Sequence, residues 1–84
     1  MSKPYTVYIL ECADGTLYTG ITNDPERRLK AHSEGKGAKY TRSRRPLKLV
    51  YQKVCGEKGE ALREELRIKA LSREKKLCLI RGEE

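Results

Sequence analysis

Paired cysteines are missing from this sequence. Its three cysteines, Cys12, Cys55 and Cys78, are odd in number, form no CxxC motif and have no histidine at ligand spacing nearby. A disulfide framework needs paired cysteines, and a structural zinc site needs closely spaced thiol and imidazole ligands. The sequence therefore predicts no zinc site and suits a reducing compartment.

Long apolar runs are also missing. No stretch approaches the length of a membrane span, and residues Met1 to Pro4 lack the apolar core of a signal segment. We therefore predict a cytoplasmic protein with no membrane partner. The 84 residues suffice for one modest core, so a single domain over residues 1–84 is expected.

Acidic residues are fewer than basic ones. The chain has 12 Asp and Glu against 19 Lys and Arg, which gives a net charge of +7. So large an excess on a short chain predicts a polyanionic partner, and nucleic acid is the first candidate. The alternative interpretation is a charged surface that only keeps the protein soluble.

The order of apolar and turn-forming segments predicts the fold. Residues 5–12 and 16–22 are rich in β-branched and aromatic side chains and flank an Asp-Gly turn signal, which indicates a β-hairpin. A third strand is predicted over residues 47–54. Helices are predicted over residues 25–34 and 58–71, and Ser72 offers a cap for a short last helix that ends near Ile80. The expected fold class is α/β of the α+β type, with a small three-stranded antiparallel sheet flanked by helices in the order ββαβαα.

The turn of the hairpin leaves two registers open. A two-residue Asp-Gly loop pairs Glu11 with Tyr18, which places Tyr8 and Tyr18 on opposite faces of the sheet. A three-residue loop with Gly15 in the left-handed conformation pairs Tyr8 with Gly20 and brings both tyrosines to one face. Only the second register can build a shared site from both hydroxyl groups. The alternative for each tyrosine is an ordinary half-buried ring.

Arg28 and His32 are candidate catalytic residues. They lie four positions apart in the predicted helix 25–34, so their side chains project from the same face. An arginine can bind two oxygens of a phosphate, and a neutral imidazole can carry a proton near pH 7. A surface arginine and a partly buried histidine are the alternative interpretation.

Glu65 is a candidate ligand for a divalent cation. Its neighbours on the predicted helix 58–71 are apolar, namely Ala61, Leu62, Leu66 and Ile68. An ionised carboxylate in an apolar stripe is costly unless it is paired or binds a cation, whereas Glu64 is expected nearly opposite, toward solvent. An ion pair with Lys69, one turn further along, is the alternative.

A basic segment connects the predicted helix 25–34 to the third strand. Residues 35–46 contain five basic residues and no acid, which predicts an exposed loop. A cationic run with one aromatic residue is typical of contacts to a sugar-phosphate backbone. The predicted nucleic-acid-binding residues are Lys36, Lys39, Tyr40, Arg42, Arg44 and Arg45. A merely solvated loop would have a similar composition.

Short motifs occur along the chain in a defined order. They are Thr6-Val7-Tyr8, Tyr18-Thr19-Gly20, the run from Asn23 to Arg28 followed by His32, and the run from Ala61 to Glu65. With these motifs in this order, residues 5 to about 72 resemble the GIY-YIG nuclease domain, and look closest to its short stand-alone bacterial members. The resemblance implies a three-stranded antiparallel sheet with flanking helices, and phosphodiester cleavage with one divalent cation, Mg²⁺ or Mn²⁺.

The resemblance also implies a role for each matching residue. Tyr8 and Tyr18 match the tyrosines of the first and second motifs. Arg28 matches the arginine of the helix, and His32 matches the position one turn later. Glu65 matches the metal-binding glutamate. We therefore expect the first four residues in catalysis and the last at the metal.

Two departures from the family pattern matter. The first motif reads Thr-Val-Tyr rather than Gly-Ile-Tyr, although its tyrosine is kept. Many active members carry an asparagine after the glutamate, whereas Asn23 is the only asparagine of this chain. That absence favours an alternative, a non-catalytic nucleic-acid-binding protein with the same fold, and an adaptor for an acidic protein is a second alternative. We expect DNA before RNA, low sequence specificity and a monomer.

Overall fold

The structure, a computed structural model, describes residues 3–83, so Met1, Ser2 and Glu84 of the predicted domain lie outside the described residues. The strands are β1 (Tyr5–Glu11), β2 (Leu17–Thr22) and β3 (Lys48–Gly56). The helices are α1 (Pro25–Ser33), α2 (Lys39–Arg42), α3 (Lys58–Lys69) and α4 (Arg73–Ile80). The predicted boundaries agree with these to within one or two residues, and α2 is an addition to the predicted order.

The three strands form one antiparallel sheet in the order β2-β1-β3, as predicted. Strand β1 is central, so both of its edges are paired, and helices cover both of its faces. Val7 and Ile9 face one side and pack with Ile68 of α3 and Leu79 of α4 in the apolar core. Tyr8 alternates to the opposite side, which α1 covers.

The turn between β1 and β2 adopts the three-residue form. The Cys12 N–H donates to the Thr16 carbonyl at 2.8 Å, and Tyr8 pairs with Gly20. Gly15 has a φ of 83°, a left-handed conformation that glycine adopts at little cost. Of the two registers left open by the sequence, this is the one that places both tyrosines on the same face.

The prediction of an irregular exposed loop between α1 and β3 is wrong in part. The segment contains the one-turn helix α2, in which Thr41 is completely buried. It is also attached to the hairpin turn, because the Ala13 N–H donates to the Arg44 carbonyl at 2.9 Å. The Arg44 Nε donates to the Asp14 Oδ2 at 3.0 Å. These partners are distant in sequence, so composition alone could not reveal them.

Helix α3 lies across the sheet and contacts all three strands. Its completely buried residues are Ala61 and Ile68, whereas Leu62 and Leu66 are 40% and 65% exposed. The predicted apolar stripe is therefore wrong at both leucines, because the buried face is narrower than helical periodicity suggested. Glu65 lies four residues after Ala61 and three before Ile68, so it stays on the buried side.

No helix within residues 3–83 combines the length and the apolar character needed to cross a membrane.

Candidate active site

Two tyrosines and the single histidine meet between the sheet and α1. The Tyr8 hydroxyl lies 2.9 Å from the His32 Nε2. The ring centroids of Tyr8 and Tyr18 are 6.4 Å apart, and those of Tyr18 and His32 are 5.4 Å apart. Tyr8 and His32 are almost completely buried, whereas Tyr18 is half-buried. The structure thus brings together residues of β1, β2 and α1.

Arg28 joins this cluster from the same face of α1 as His32. Hydrogen bonding to Tyr8 is the main cause that raises the pKa of Arg28, with smaller contributions from Tyr18. A guanidinium has donors only and stays charged at any physiological pH. The two tyrosines therefore face a permanent cation.

Gly20 provides the space in which the two tyrosines meet. A methyl group added at Gly20 would lie 2.6 Å from the Tyr8 hydroxyl oxygen and 3.2 Å from Cε2 of Tyr18. Both distances are shorter than ordinary van der Waals separations. The glycine of the second motif is therefore a steric requirement of the site, which neither its place in the motif nor its pairing with Tyr8 reveals.

The second nitrogen of His32 has a partner that sequence reasoning missed. Its Nδ1 lies 2.8 Å from the Thr41 Oγ1, and that hydroxyl lies 3.0 Å from the Ala38 carbonyl oxygen. The backbone at Gly37 also packs against the ring, since a methyl group added there would lie 2.3 Å from Nδ1. No sequence signal pointed to these residues, because their segment was interpreted as a solvated loop.

Burial and charge set the protonation states of the cluster. Burial raises the pKa of Tyr8, while its hydrogen bond with Arg28 acts in the opposite direction. Burial also lowers the pKa of His32, and the charge of Arg28 lowers it further. Both shifts favour a neutral phenol beside a neutral imidazole in the resting site.

Glu65 is the candidate metal ligand, and its side chain is 16% exposed. It forms an ion pair with the Lys69 Nζ at 3.5 Å, which is the alternative interpretation that the helical spacing offered. The charge of Glu65 is one of the smaller causes that raise the pKa of Tyr8, after burial, so the carboxylate lies within electrostatic range of the cluster. Its role at a metal stays a prediction.

The donor set suits a cation that the substrate helps to bind. Within the part of the chain that the structure describes, no group of three or more His, Cys, Asp or Glu side chains could hold a metal ion. Mg²⁺ is commonly held by one or two carboxylates together with waters and substrate phosphates, rather than by a full protein cage. The half-buried Glu65 fits that mode of binding.

The expectation that Glu64 faces solvent is wrong. Its side chain is also 16% exposed, and it forms ion pairs with Lys53 of β3 at 3.3 Å and with Arg67. Both flanks of α3 are half-buried because the helix lies flat across the sheet. Glu64 therefore lies in the same helix as Glu65 and is equally exposed, but it has two basic partners of its own.

The six predicted nucleic-acid-binding residues divide into two groups. Lys36, Lys39 and Arg42 are exposed, and their side chains have no ion pair among the described residues. Tyr40 stacks on Tyr18 with a centroid separation of 5.9 Å, which links the basic segment to the tyrosine pair.

The other members of the basic segment have partners within the protein. Arg44 lies over the Tyr40 ring, 3.9 Å from its centroid, and donates to the Tyr40 carbonyl at 2.7 Å. Arg45 donates to the carbonyls of Arg42 and Ser33. Contact of any of the six residues with nucleic acid stays a prediction. The exposed side chains of Lys36, Lys39 and Arg42 are the most accessible to a phosphate backbone.

Comparison with known proteins identifies relatives of this chain. The family described as the GIY-YIG catalytic domain matches residues 4–77. A UPF0213 protein of Staphylococcus saprophyticus is 54% identical over 80 residues, covering 95% of this chain and 96% of that protein. A UPF0213 protein of Oceanobacillus iheyensis is 52% identical over 84 residues, covering 100% of this chain and 98% of that protein.

Two solution NMR structures resemble the fold. The UPF0213 protein of Bacillus halodurans is 54% identical, with a TM-score of 0.60 over 90% of this chain and 81% of that one. A protein from E. faecalis is 37% identical, with a TM-score of 0.66 over 98% of this chain and 90% of that one. Both similarities support the α+β fold of this chain.

Proposed function

This chain belongs to the GIY-YIG family, and on that premise we propose that it is a nuclease that hydrolyses phosphodiester bonds with one divalent cation, Mg²⁺ or Mn²⁺. The observation that carries the proposal is the convergence of Tyr8, Tyr18, Arg28 and His32 on one face of the sheet. In particular, the 2.9 Å contact between the Tyr8 hydroxyl and the His32 Nε2 provides a path for a proton.

Hydrolysis requires a water to lose a proton as its oxygen attacks phosphorus. Tyr8 accepts that proton, and its own proton passes to the His32 Nε2 across the 2.9 Å hydrogen bond. The water oxygen forms its bond to phosphorus as the bond to the leaving oxygen breaks. The proton on His32 then passes back to the Tyr8 oxygen while Tyr8 releases the water-derived proton to solvent, and the leaving oxygen takes a proton from solvent, so the site regains its neutral state.

Arg28 has two effects in this proposal. Its guanidinium neutralises charge on the phosphoryl oxygens, which it can bind in a bidentate manner. Its hydrogen bond with Tyr8 also lowers the pKa of that tyrosine and so opposes the effect of burial. Arg28 therefore favours the ionised state through which Tyr8 must pass.

Glu65 would hold the cation at the edge of this cluster. When bound, such a cation would supply Lewis acidity to the scissile phosphate and to the leaving oxygen. Lys69 pairs with the same carboxylate, but its side chain is 52% exposed and can move away when a cation competes. Half-burial keeps the carboxylate facing the protein rather than bulk water.

Charge distribution supports nucleic acid as the substrate. Residues 1–56, which build the tyrosine and histidine cluster, carry 11 Lys and Arg against five Asp and Glu. Residues 57–84 carry eight against seven. The exposed Lys36, Lys39 and Arg42 would bind backbone phosphates with little sequence preference, DNA before RNA. The three free cysteines suit a reducing, cytoplasmic setting.

A non-catalytic nucleic-acid-binding protein is the second candidate. Two observations favour it, namely the ion pair between Glu65 and Lys69 and the absence of an asparagine after Glu65. In that case the basic surface would bind a polyanion, but no phosphodiester bond would break.

The two candidates differ in a cleavage assay on the Glu65→Gln variant. Purified protein is incubated with Mg²⁺ or Mn²⁺ and a panel of single-stranded, duplex, flapped and branched DNA and RNA. The nuclease proposal expects metal-dependent cleavage that Glu65→Gln abolishes while nucleic-acid binding is kept. Glu64→Gln is the matched control and should cleave at nearly the unaltered rate when assayed where the variant is folded.

Salt-sensitive binding without cleavage of any substrate would favour the second candidate. Cleavage that survives Glu65→Gln would refute the assignment of the metal to this carboxylate.

A further inference from the structure

We propose that Thr41 is a positioning residue that fixes the His32 ring in one tautomer, with the proton on Nδ1 and the lone pair of Nε2 facing Tyr8. This inference deepens the proposed function, and it rests on that function only for its effect on cleavage. The tautomer itself follows from hydrogen bonds within the folded chain.

The argument begins at the Ala38 carbonyl, which can only accept hydrogen bonds. The Thr41 hydroxyl lies 3.0 Å from it and has a single proton to donate. Such a bond from a threonine hydroxyl to the carbonyl three residues earlier is a common local arrangement. With its proton directed to Ala38, the Thr41 oxygen offers a lone pair to the His32 Nδ1, 2.8 Å away. Nδ1 must therefore carry the proton.

The contacts of Nε2, at the opposite end of the His32 ring, indicate the same tautomer. Arg28, which faces the tyrosines from α1, has donors only and therefore cannot accept the Tyr8 proton. The Tyr8 proton then finds its acceptor at the His32 Nε2, 2.9 Å away. In the other tautomer, the His32 Nε2 would donate to the Tyr8 oxygen and could no longer accept the Tyr8 proton, and Thr41 would have to turn its proton away from Ala38. Only one tautomer gives every proton in this chain of contacts an acceptor.

Enclosure of the ring makes this arrangement costly to change. His32 is 1% exposed and Thr41 is 0% exposed. The backbone at Gly37 fills the space beside Nδ1, where an added methyl group would lie 2.3 Å away. A buried N–H that loses its partner is left unsatisfied, which destabilises the fold. Thr41 is therefore the group in a position to satisfy Nδ1.

The placement of Thr41 also explains the short helix α2. Tyr40, its neighbour, stacks on Tyr18, whereas Thr41 turns inward to His32. Adjacent residues of one helical turn thus contact both the tyrosine pair and the histidine. The segment predicted to bind nucleic acid therefore also contacts and positions Tyr18 and His32.

The protein's single histidine makes the tautomer directly measurable. Long-range proton to nitrogen-15 correlation spectra of the labelled protein, recorded well above the pKa of His32, distinguish a protonated ring nitrogen from one with a lone pair. We expect a protonated Nδ1 and an unprotonated Nε2 in the folded protein without metal or nucleic acid. A protonated Nε2 would overturn the proposal whether or not the protein is a nuclease.

Two substitutions test the role of Thr41. Thr41→Val keeps the shape but removes the hydroxyl, and we expect a mixture of ring tautomers and a loss in kcat of at least about tenfold, with KM little changed. Thr41→Ser keeps the hydroxyl and should restore both the single tautomer and the rate.

The two readouts separate failure of this inference from failure of the proposed function. If Thr41→Val kept the pure Nδ1-protonated tautomer, Thr41 would not be the positioning residue. If the spectra followed the expectation but the unaltered protein cleaved no nucleic acid, the tautomer assignment would stand and the nuclease proposal would fail. Should Thr41→Val not fold, the spectra of the unaltered protein and of Thr41→Ser still decide the tautomer.

Discussion

The two faces of β1 are both buried, but they are stabilised in different ways. On one face, Val7 and Ile9 pack against α3 and α4 through apolar contacts alone. On the other, Tyr8 lies against His32 and forms a directional hydrogen bond to its ring. One strand thus supplies an apolar core and a polar cluster through alternate residues.

The two faces of β1 should differ in how well they tolerate amino-acid substitutions. Apolar contacts are non-directional, so the core accepts changes of shape at a cost that follows the volume removed. A buried hydrogen bond depends on the position of each proton, and the loss of one partner leaves another polar group unsatisfied. We expect substitutions on the polar face to impair cleavage, and substitutions on the apolar face to impair stability.

The largest effect is expected from Tyr8→Phe. Removing the hydroxyl removes the proposed proton acceptor, so the cleavage rate should fall by about 10²–10⁴-fold. Ile9→Val, one residue along and on the opposite face, should leave the rate nearly unchanged while lowering the free energy of unfolding by about 0.5–1.5 kcal/mol. Single-turnover cleavage and denaturant titration of both variants measure the contrast. An unaltered rate in Tyr8→Phe would remove Tyr8 from the mechanism.

A loss of stability is expected from Ile68→Ala. This completely buried residue packs against the apolar face of β1, so the substitution should lower the free energy of unfolding by about 2–5 kcal/mol. Leu66→Ala, in the same helix but 65% exposed, should change it by less than about 0.5 kcal/mol. Urea titration compares the two, and equal losses would mean that the buried face of α3 is misassigned.

We expect His32, which lies on the polar face of β1, to make the stability of the protein depend on pH. The pKa of His32 is lowered by burial and by Arg28, so as pH falls the unfolded chain binds the proton first. The stabilisation is therefore complete above the unfolded pKa of about 6.5 and is lost as pH falls from there toward the lowered folded value. The slope for one proton is at most about 1.4 kcal/mol per pH unit.

His32→Gln should remove this part of the pH dependence and leave the part that carboxylates contribute. The measurement is the free energy of unfolding against pH for both proteins, and parallel curves would show that His32 does not titrate differently in the folded state.

The smallest change in stability is expected when the exposed cations are replaced. Replacing Lys36, Lys39 and Arg42 together by Ala should leave stability nearly unchanged, because their side chains have no ion pair among the described residues. Affinity for duplex DNA should fall, and the slope of log affinity against log salt should decrease by about 0.9 for each lost phosphate contact.

Arg44→Ala should instead lower stability, since Arg44 bonds to Asp14 and lies over Tyr40. Binding titrations at several salt concentrations, with thermal unfolding, separate the two groups. An unchanged salt slope in the triple variant would place the contact surface elsewhere.

Much of the fold could be predicted because its signals are local. The β-rich runs, the Asp-Gly turn and the cap before α4 fall within short windows, and each predicted element exists. The hairpin register was left open, because it depends on the conformation of Gly15 rather than on residue identity alone. Errors at Glu64, Leu62 and Leu66 have one cause, since periodicity cannot show how a helix will lie across a sheet.

By itself, the sequence determined the order of the elements, the excess of positive charge, and the residue types able to move a proton or bind a phosphate. Tertiary structure decided which of them meet. Tyr8 and His32 are 24 positions apart, and Thr41 is nine positions further from His32. Their contacts form only when α1 and α2 pack against the sheet, because hydrogen bonds need atoms within about 3 Å, a condition that no local pattern encodes.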